Sequence, residues 1–246
     1  MKKFLLFLAL CAYGFAGEVS IAAAANVTAA FESIKAEWAK VHPNDALNVT
    51  LSSSGKLVSQ IKEGAPYEVF MSADVGFAQK LADANLTVTE PKIYARGKVA
   101  MLSVRGFDLG KGLEVLKDPK VKTIIVANPE TAPYGRATIE AFQKAGVYEV
   151  IKSKIVTAGN IGEALSQTLK AGDVGFINAS AMYNPKMAGY KEGKDFVLID
   201  AGLYSPIDQA MVILKKGENN KVAKEFYDFI LGDKGHEIFK KYGYDF

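Results

Sequence analysis

Apolar residues along this chain fall into short buried-looking runs that alternate with stretches of helical spacing. Glu18 to Ala23 reads as a strand, and Phe31, Ile34, Trp38 and Val41 then recur on one helical face before His42-Pro43-Asn44-Asp45 breaks the helix. Leu47 to Leu51 alternates as a second strand. Leu57, Val58 and Ile61 mark a second helix that stops at Gly64-Ala65-Pro66. Glu68 to Met71 gives a third strand, and Ser72-Ala73-Asp74 caps a helix with Phe77, Leu81 and Ala84. Further strands are predicted over Val99 to Val104, Val121 to Ala127, Ile155 to Thr157, Val174 to Ile177, Phe196 to Ile199 and Ala210 to Leu214. Helices are predicted over Arg136 to Ala145, around Ala164, Leu165 and Leu169, and over Lys221 to Leu231 and His236 to Tyr242. Strand and helix alternation of this kind implies mostly parallel sheet covered on both faces, with ligands at the carboxyl ends of the strands.

The strand ends are where the polar residues gather. Ala24-Ala25-Asn26 follows the first strand, Ser52-Ser53-Ser54-Gly55 opens the second helix, Asn128 to Gly135 is a turn-rich loop, and Ala158-Gly159-Asn160-Ile161-Gly162 precedes another helix. The first amides of a helix have no intrahelical partner and carry the positive end of its dipole, so serine hydroxyls beside them suit an oxyanion without any charged side chain. Serine is also a preferred helix cap. From these residues alone a plain cap and an anion cradle both stand.

Composition narrows the partner and the compartment. Lys2 and Lys3, the apolar Phe4 to Tyr13 and the small residues Gly14 and Ala16 form a secretory signal peptide over residues 1–16, cleaved after Ala16. Leucine directly before Cys11 fits a lipid-anchor signal poorly. Cys11 is the single cysteine, so the mature chain has no disulfide and no thiolate-bound metal. The signal peptide removes two of 30 basic residues, leaving 28 against 27 acidic ones, a balance that argues against nucleic acid.

Several segments together resemble the periplasmic molybdate-binding proteins of ABC importers, a family within the two-lobed solute-binding proteins. The segments are Ser53-Ser54-Gly55 with Leu57 and Gln60-Ile61, Gly64 to Asp74, Asn128-Pro129 with Ala132 to Gly135, Asn160-Ile161-Gly162, Gly175-Phe176 and Ile238 to Tyr244. Their order along a chain with a signal peptide is more specific than any one of them. The resemblance implies an α/β fold, the two-lobed periplasmic binding protein (type II), each lobe a mixed sheet flanked by helices with the ligand in the interlobe cleft. Lobe 1 would take residues 17–96 and 206–246, and lobe 2 residues 97–205.

The resemblance also implies an anion site at Asn26, Ser54, Tyr134, Ile161 and Asn178, with Tyr134 and Ile161 acting mainly through their amides. Asn26 replaces a serine of one branch and keeps a donor; Asn178 replaces a tyrosine and leaves that contact in doubt. Molybdate or tungstate would be the ligand, cargo held through oxygens with no cofactor and no metal bound directly by the protein. The partners implied are an inner-membrane permease with its ATPase, the location is the periplasm, and the chain is expected to act as a monomer. Tungstate or sulfate selectivity is the alternative within the class.

An enzyme reading lacks its parts. His42 sits beside a proline in a turn and His236 in the terminal helical region. A secreted hydrolase with Ser54 as nucleophile would need the Gly-x-Ser-x-Gly elbow that Ser53-Ser54-Gly55 does not provide, and Gly55-Lys56 lacks the upstream glycine of a phosphate-binding loop.

Overall fold

A computed structural model describes residues 17–246; the signal peptide reading, with Cys11, falls outside the described residues. The chain opens with β1 (Glu18–Ala24), a 3-10 turn at Ala25–Val27, α1 (Thr28–Val41), β2 (Ala46–Ser52), α2 (Ser54–Lys62), β3 (Val69–Met71) and α3 (Val75–Asp83). It continues through β4 (Lys92–Gly97), β5 (Val99–Leu102), β6 (Ile124–Ala127), α4 (Pro133–Lys144), α5 (Tyr148–Ile151), β7 (Ile155–Ala158), α6 (Ile161–Lys170) and β8 (Val174–Asn178). It closes with β9 (Phe196–Leu198), β10 (Ile207–Ile213), α7 (Lys221–Leu231) and α8 (Asp233–Lys241).

These strands form two five-stranded sheets, ordered β2-β1-β3-β10-β4 and β7-β6-β8-β5-β9. In each, three neighbouring strands run parallel and the other two attach antiparallel. The expectation of mostly parallel sheet is therefore corrected to two mixed sheets, which match the two-lobed periplasmic binding fold. The parallel rule holds only where a covering helix carries the chain back over the sheet. β5 and β10 arrive from the other sheet instead: the chain leaves the first sheet between Gly97 and Val99 and re-enters it at Ile207.

Each sheet is covered on both faces. On one side of the first, Phe31, Ile34 and Trp38 of α1 pack with Phe226 and Ile230 of α7 and Phe239 of α8. On the other, Leu57 and Ile61 of α2 meet Phe77 and Leu81 of α3. Trp38 stands edge-on to Phe226 at 5.8 Å and to Phe229 at 5.6 Å. Full burial of side chains this large contributes about 1.5–3 kcal/mol each. Val41, expected on the same face, is the last residue of α1 and lies exposed beyond the packed turns.

Two other expectations shift. β4 was not legible, because Lys92, Arg96 and Gly97 interrupt its apolar positions. α4 begins at Pro133, three residues before the predicted start, with proline in the first turn where its missing N–H costs nothing. That extension places Tyr134 inside a helix start. Among the described residues no helix is long and apolar enough to cross a membrane.

Candidate functional site

The carboxyl ends of β1, β2, β6 and β7 face a common space, and the segment after each begins a helical turn. After β1 comes the 3-10 turn holding Asn26; after β2, Ser53 precedes Ser54 as first residue of α2; after β6, Tyr134 is second in α4; after β7, Ile161 is first in α6. Gly135 lets α4 start close against β6, since a Cβ there would lie 2.0 Å from the Ala127 carbonyl oxygen. Asn160 caps α6 by accepting the Glu163 amide at 3.0 Å, and Glu163 accepts the Gly159 amide in return at 3.0 Å. The first-turn amide of Ile161 has no intrahelical acceptor.

Asn26, Ser54, Tyr134 and Ile161 line one small cavity of about 10 Å³, together with Ser53 and Ala73. Ligand sites for larger solutes run to roughly 300–1,000 Å³, so this space suits an ion rather than a sugar or peptide. No charged side chain lines it. Three helix N-termini, from helices of nine, twelve and ten residues, therefore converge on a cavity whose positive potential comes from backbone dipoles alone.

Asn178 is not on that wall. It faces a larger cavity of about 380 Å³ on the far side of the Ala25–Val27 turn, bounded by Leu165, Leu169, Met187 and Tyr190. Its Nδ2 donates to the Asn26 carbonyl at 3.0 Å and to Ser180 Oγ at 2.6 Å. The structure thus brings four of the five expected residues together and puts the fifth behind one of them.

The polar atoms around the small cavity are unequally satisfied. Ser54 is fully buried, and its Oγ accepts the Ala73 amide at 3.0 Å, which leaves its hydrogen free to donate. Ser53 Oγ and Asn26 Oδ1 are buried with no partner. A serine that merely capped α2 would accept an amide of its first turn; Ser53, in the cap position, makes no such bond. Tyr134 Oη accepts from Gln209 Nε2 at 3.0 Å, so the side chain is engaged with the first sheet and the amide is the group left at the cavity. Burial pushes the Tyr134, Tyr94 and Tyr244 hydroxyls up, Tyr244 to about 12, so all three stay neutral near neutral pH.

Residues that sequence reading missed hold this site from behind. Gln209 of β10 is fully buried; its Oε1 accepts from Asn26 Nδ2 at 2.8 Å and from Tyr94 Oη at 2.9 Å. Tyr244 Oη donates to the Asn26 carbonyl at 3.0 Å and accepts from Ser180 Oγ at 2.9 Å. The available signal was a glutamine directly before the apolar run Ala210 to Ile213. Within this network the Ser180–Tyr244, Gln209–Tyr134 and Asn178–Asn26 bonds join the two sheet units, and Ala24, Ala25 and Ala73 of the first pack into the hydrophobic core of the second. Asp74 Oδ2 faces Arg136 Nη1 at 3.2 Å across the same boundary, while Asp74 Oδ1 caps α3 through the Phe77 amide at 2.8 Å. Elsewhere His42, Asp45 and Glu225 gather at the opposite end of α1, away from the cavity.

The chain is similar to known proteins over nearly all of its described length. The family described as bacterial extracellular solute-binding protein matches residues 19–245. The chain is 35% identical over 232 residues to the molybdate-binding protein ModA of Azotobacter vinelandii, covering 93% of this chain and 90% of that one. It is 35% identical over 231 residues to ModA of Rhodobacter capsulatus, covering 93% and 88%. Among solved structures it superposes on the periplasmic molybdate-binding protein of Azotobacter vinelandii with a TM-score of 0.85 at 29% identity, covering 93% of this chain and 99% of that one.

Proposed function

We infer that this chain, which belongs to the bacterial extracellular solute-binding proteins, is the periplasmic component that captures molybdate for an ABC transporter. The observation that carries the reading is the small cavity enclosed by three helix N-termini and lined by no charged side chain. Molybdate near neutral pH is an unprotonated dianion that only accepts hydrogen bonds. Amides and hydroxyls match it, and each bond to such a charged group contributes about 1.5–3 kcal/mol.

Ser54 Oγ, the amides of Tyr134 and Ile161, and the Asn26 side chain are the proposed contacts. Tungstate, of the same shape and charge, fits the same donors. Hydrogen phosphate brings a proton that needs an acceptor, and sulfate is rejected by size. Asn26 and Ser54 belong to lobe 1 (17–96 and 206–246) and Tyr134 and Ile161 to lobe 2 (97–205), so the anion favours the closed state by bonding both. Asn178 acts on the ligand only through Asn26. The signal peptide would deliver the chain to the periplasm, where, as a monomer, it hands its cargo to a membrane permease with its ATPase. Its relatives are binding proteins and it is not an enzyme; molybdenum is cargo and no cofactor is involved.

Thermal unfolding of the anion-free mature protein with molybdate, tungstate, sulfate and phosphate added separately tests the reading. A ligand at ~100 times its Kd adds about 2.7 kcal/mol of stability, a rise of several degrees in Tm. Shifts with molybdate and tungstate alone are expected. No shift with any of the four overturns the proposal.

A further inference from the structure

Asn26 presents the wrong atom for a cavity of donors. Both of its Nδ2 hydrogens are turned inward, to Gln209 Oε1 at 2.8 Å and Tyr244 Oη at 3.1 Å, and its Oδ1 is the buried atom without a partner. An acceptor at the wall of an anion site repels the anion. The two ends of a carboxamide are nearly the same size, and the surrounding network has a second arrangement in which both amides are reversed.

In that arrangement Gln209 donates from Nε2 to Asn26 Oδ1 and to Tyr94 Oη, across the separations now at 2.8 and 2.9 Å. Tyr94 Oη keeps its donation to the Ser72 carbonyl at 3.1 Å. Gln209 Oε1 then accepts from Tyr134 Oη, across the present 3.0 Å. Tyr244 Oη turns its hydrogen from the Asn26 carbonyl to the reversed Asn26 Oδ1, across the present 3.1 Å, and the carbonyl keeps the donation of Asn178 Nδ2 at 3.0 Å. Every hydrogen in the set has an acceptor except those of Asn26 Nδ2, which replace the orphaned oxygen.

We propose that Gln209 is a positioning residue that sets which end of the Asn26 amide faces the anion, and so enforces preference for unprotonated oxyanions without touching the ligand. The inference rests on the oxyanion reading above. Tyr134 ties it to closure: its hydroxyl comes from the second sheet unit and can stabilise the reversed Gln209 only when the two units meet. Because Tyr134, Tyr94 and Tyr244 stay neutral hydroxyls, each is free to donate in one arrangement and accept in the other.

The test is Gln209→Glu. An ionised carboxylate only accepts, so Asn26 must donate to it and hold Oδ1 at the cavity wall. The added charge weakens all dianions alike, whereas the reversed amide penalises only those without a proton to offer. Calorimetric titration of molybdate at pH 8, alone and against hydrogen phosphate, is expected to show molybdate affinity falling at least tenfold while hydrogen phosphate, which does not compete in the unsubstituted protein, becomes a measurable competitor. Loss of molybdate affinity with hydrogen phosphate still excluded, in a variant that still melts cooperatively, overturns the relay. If that variant does not fold, Tyr134→Phe replaces it: losing the hydroxyl that stabilises the reversed Gln209 is expected to weaken molybdate binding three- to tenfold and to let hydrogen phosphate compete, and loss of molybdate without that competition again overturns the idea. Absence of molybdate binding to the unsubstituted protein would instead sink the functional reading beneath it.

Discussion

The amide of Gly55, in the first turn of α2, donates to the carbonyl of Thr131 in the loop before α4 at 2.9 Å, binding the two sheet units backbone to backbone beside the cavity. The approach is so close that a Cβ on Gly55 would lie 2.9 Å from Thr131 Cα. Gly55→Val therefore obstructs closure more than it harms the separate units. Molybdate affinity is expected to fall by at least tenfold, with the ligand-free Tm changed by only a few degrees. An unchanged Kd by calorimetry would show that closure at this point does not matter to binding.

Ser54 sits where a negative side chain favours the helix and disfavours the ligand. Ser54→Asp can still accept the Ala73 amide and complements the dipole of α2, so the ligand-free protein should melt at or above the parent temperature. Molybdate binding should nonetheless vanish, because a carboxylate then faces a dianion in a buried space. Ser54→Ala removes one charged-group hydrogen bond, about 1.5–3 kcal/mol, or roughly 10- to 150-fold in Kd. Retained parent affinity in the aspartate variant would place the anion elsewhere.

Arg136 is a cation bridging the units beside the cavity, paired with Asp74 at 3.2 Å, but its side chain is about half exposed (48%). Such pairs contribute ~0–1 kcal/mol. Arg136→Gln should weaken molybdate binding by less than tenfold at moderate salt. A hundredfold loss would mean that a side-chain charge, and not helix dipoles, attracts the anion.

The buried tyrosines predict an alkaline limit. Burial raises Tyr244 from 10.0 to about 12. Below pH 10 neither state ionises and its stabilising share is fully present. Between about pH 10 and 12 the unfolded state loses the proton that the folded state keeps, so stability falls, by roughly 2–3 kcal/mol from this residue. Urea unfolding from pH 8 to 11.5 should show that slope, and Tyr244→Phe should make it shallower, whatever its effect at pH 8.

The helices and most strands of this protein were legible because their apolar spacings record which face is buried. Short polar residues at strand ends marked where a ligand could sit, and the family resemblance singled out Asn26, Ser54, Tyr134 and Ile161 among them; all four meet at one cavity. Tyr134 was read as loop because Pro133 looks like a terminator, whereas in the first turn proline is tolerated.

What the linear pattern could not convey is pairing at a distance. Gln209 is 183 residues from Asn26 and 75 from Tyr134, yet its amide binds both. Nothing near Gln209 in the chain indicates that a buried carboxamide there will have partners, since hydrogen bonds between side chains depend on which strands become neighbours. Asn178 shows the same limit: it ends β8, a place where ligand contacts are expected, and the packing of the Ala25–Val27 turn sets its side chain behind Asn26. Local chemistry, written residue by residue, determined the donors and their helix starts; the meeting of the two sheets decided which donors remain free, because each hydrogen-bonding atom can be spent only once.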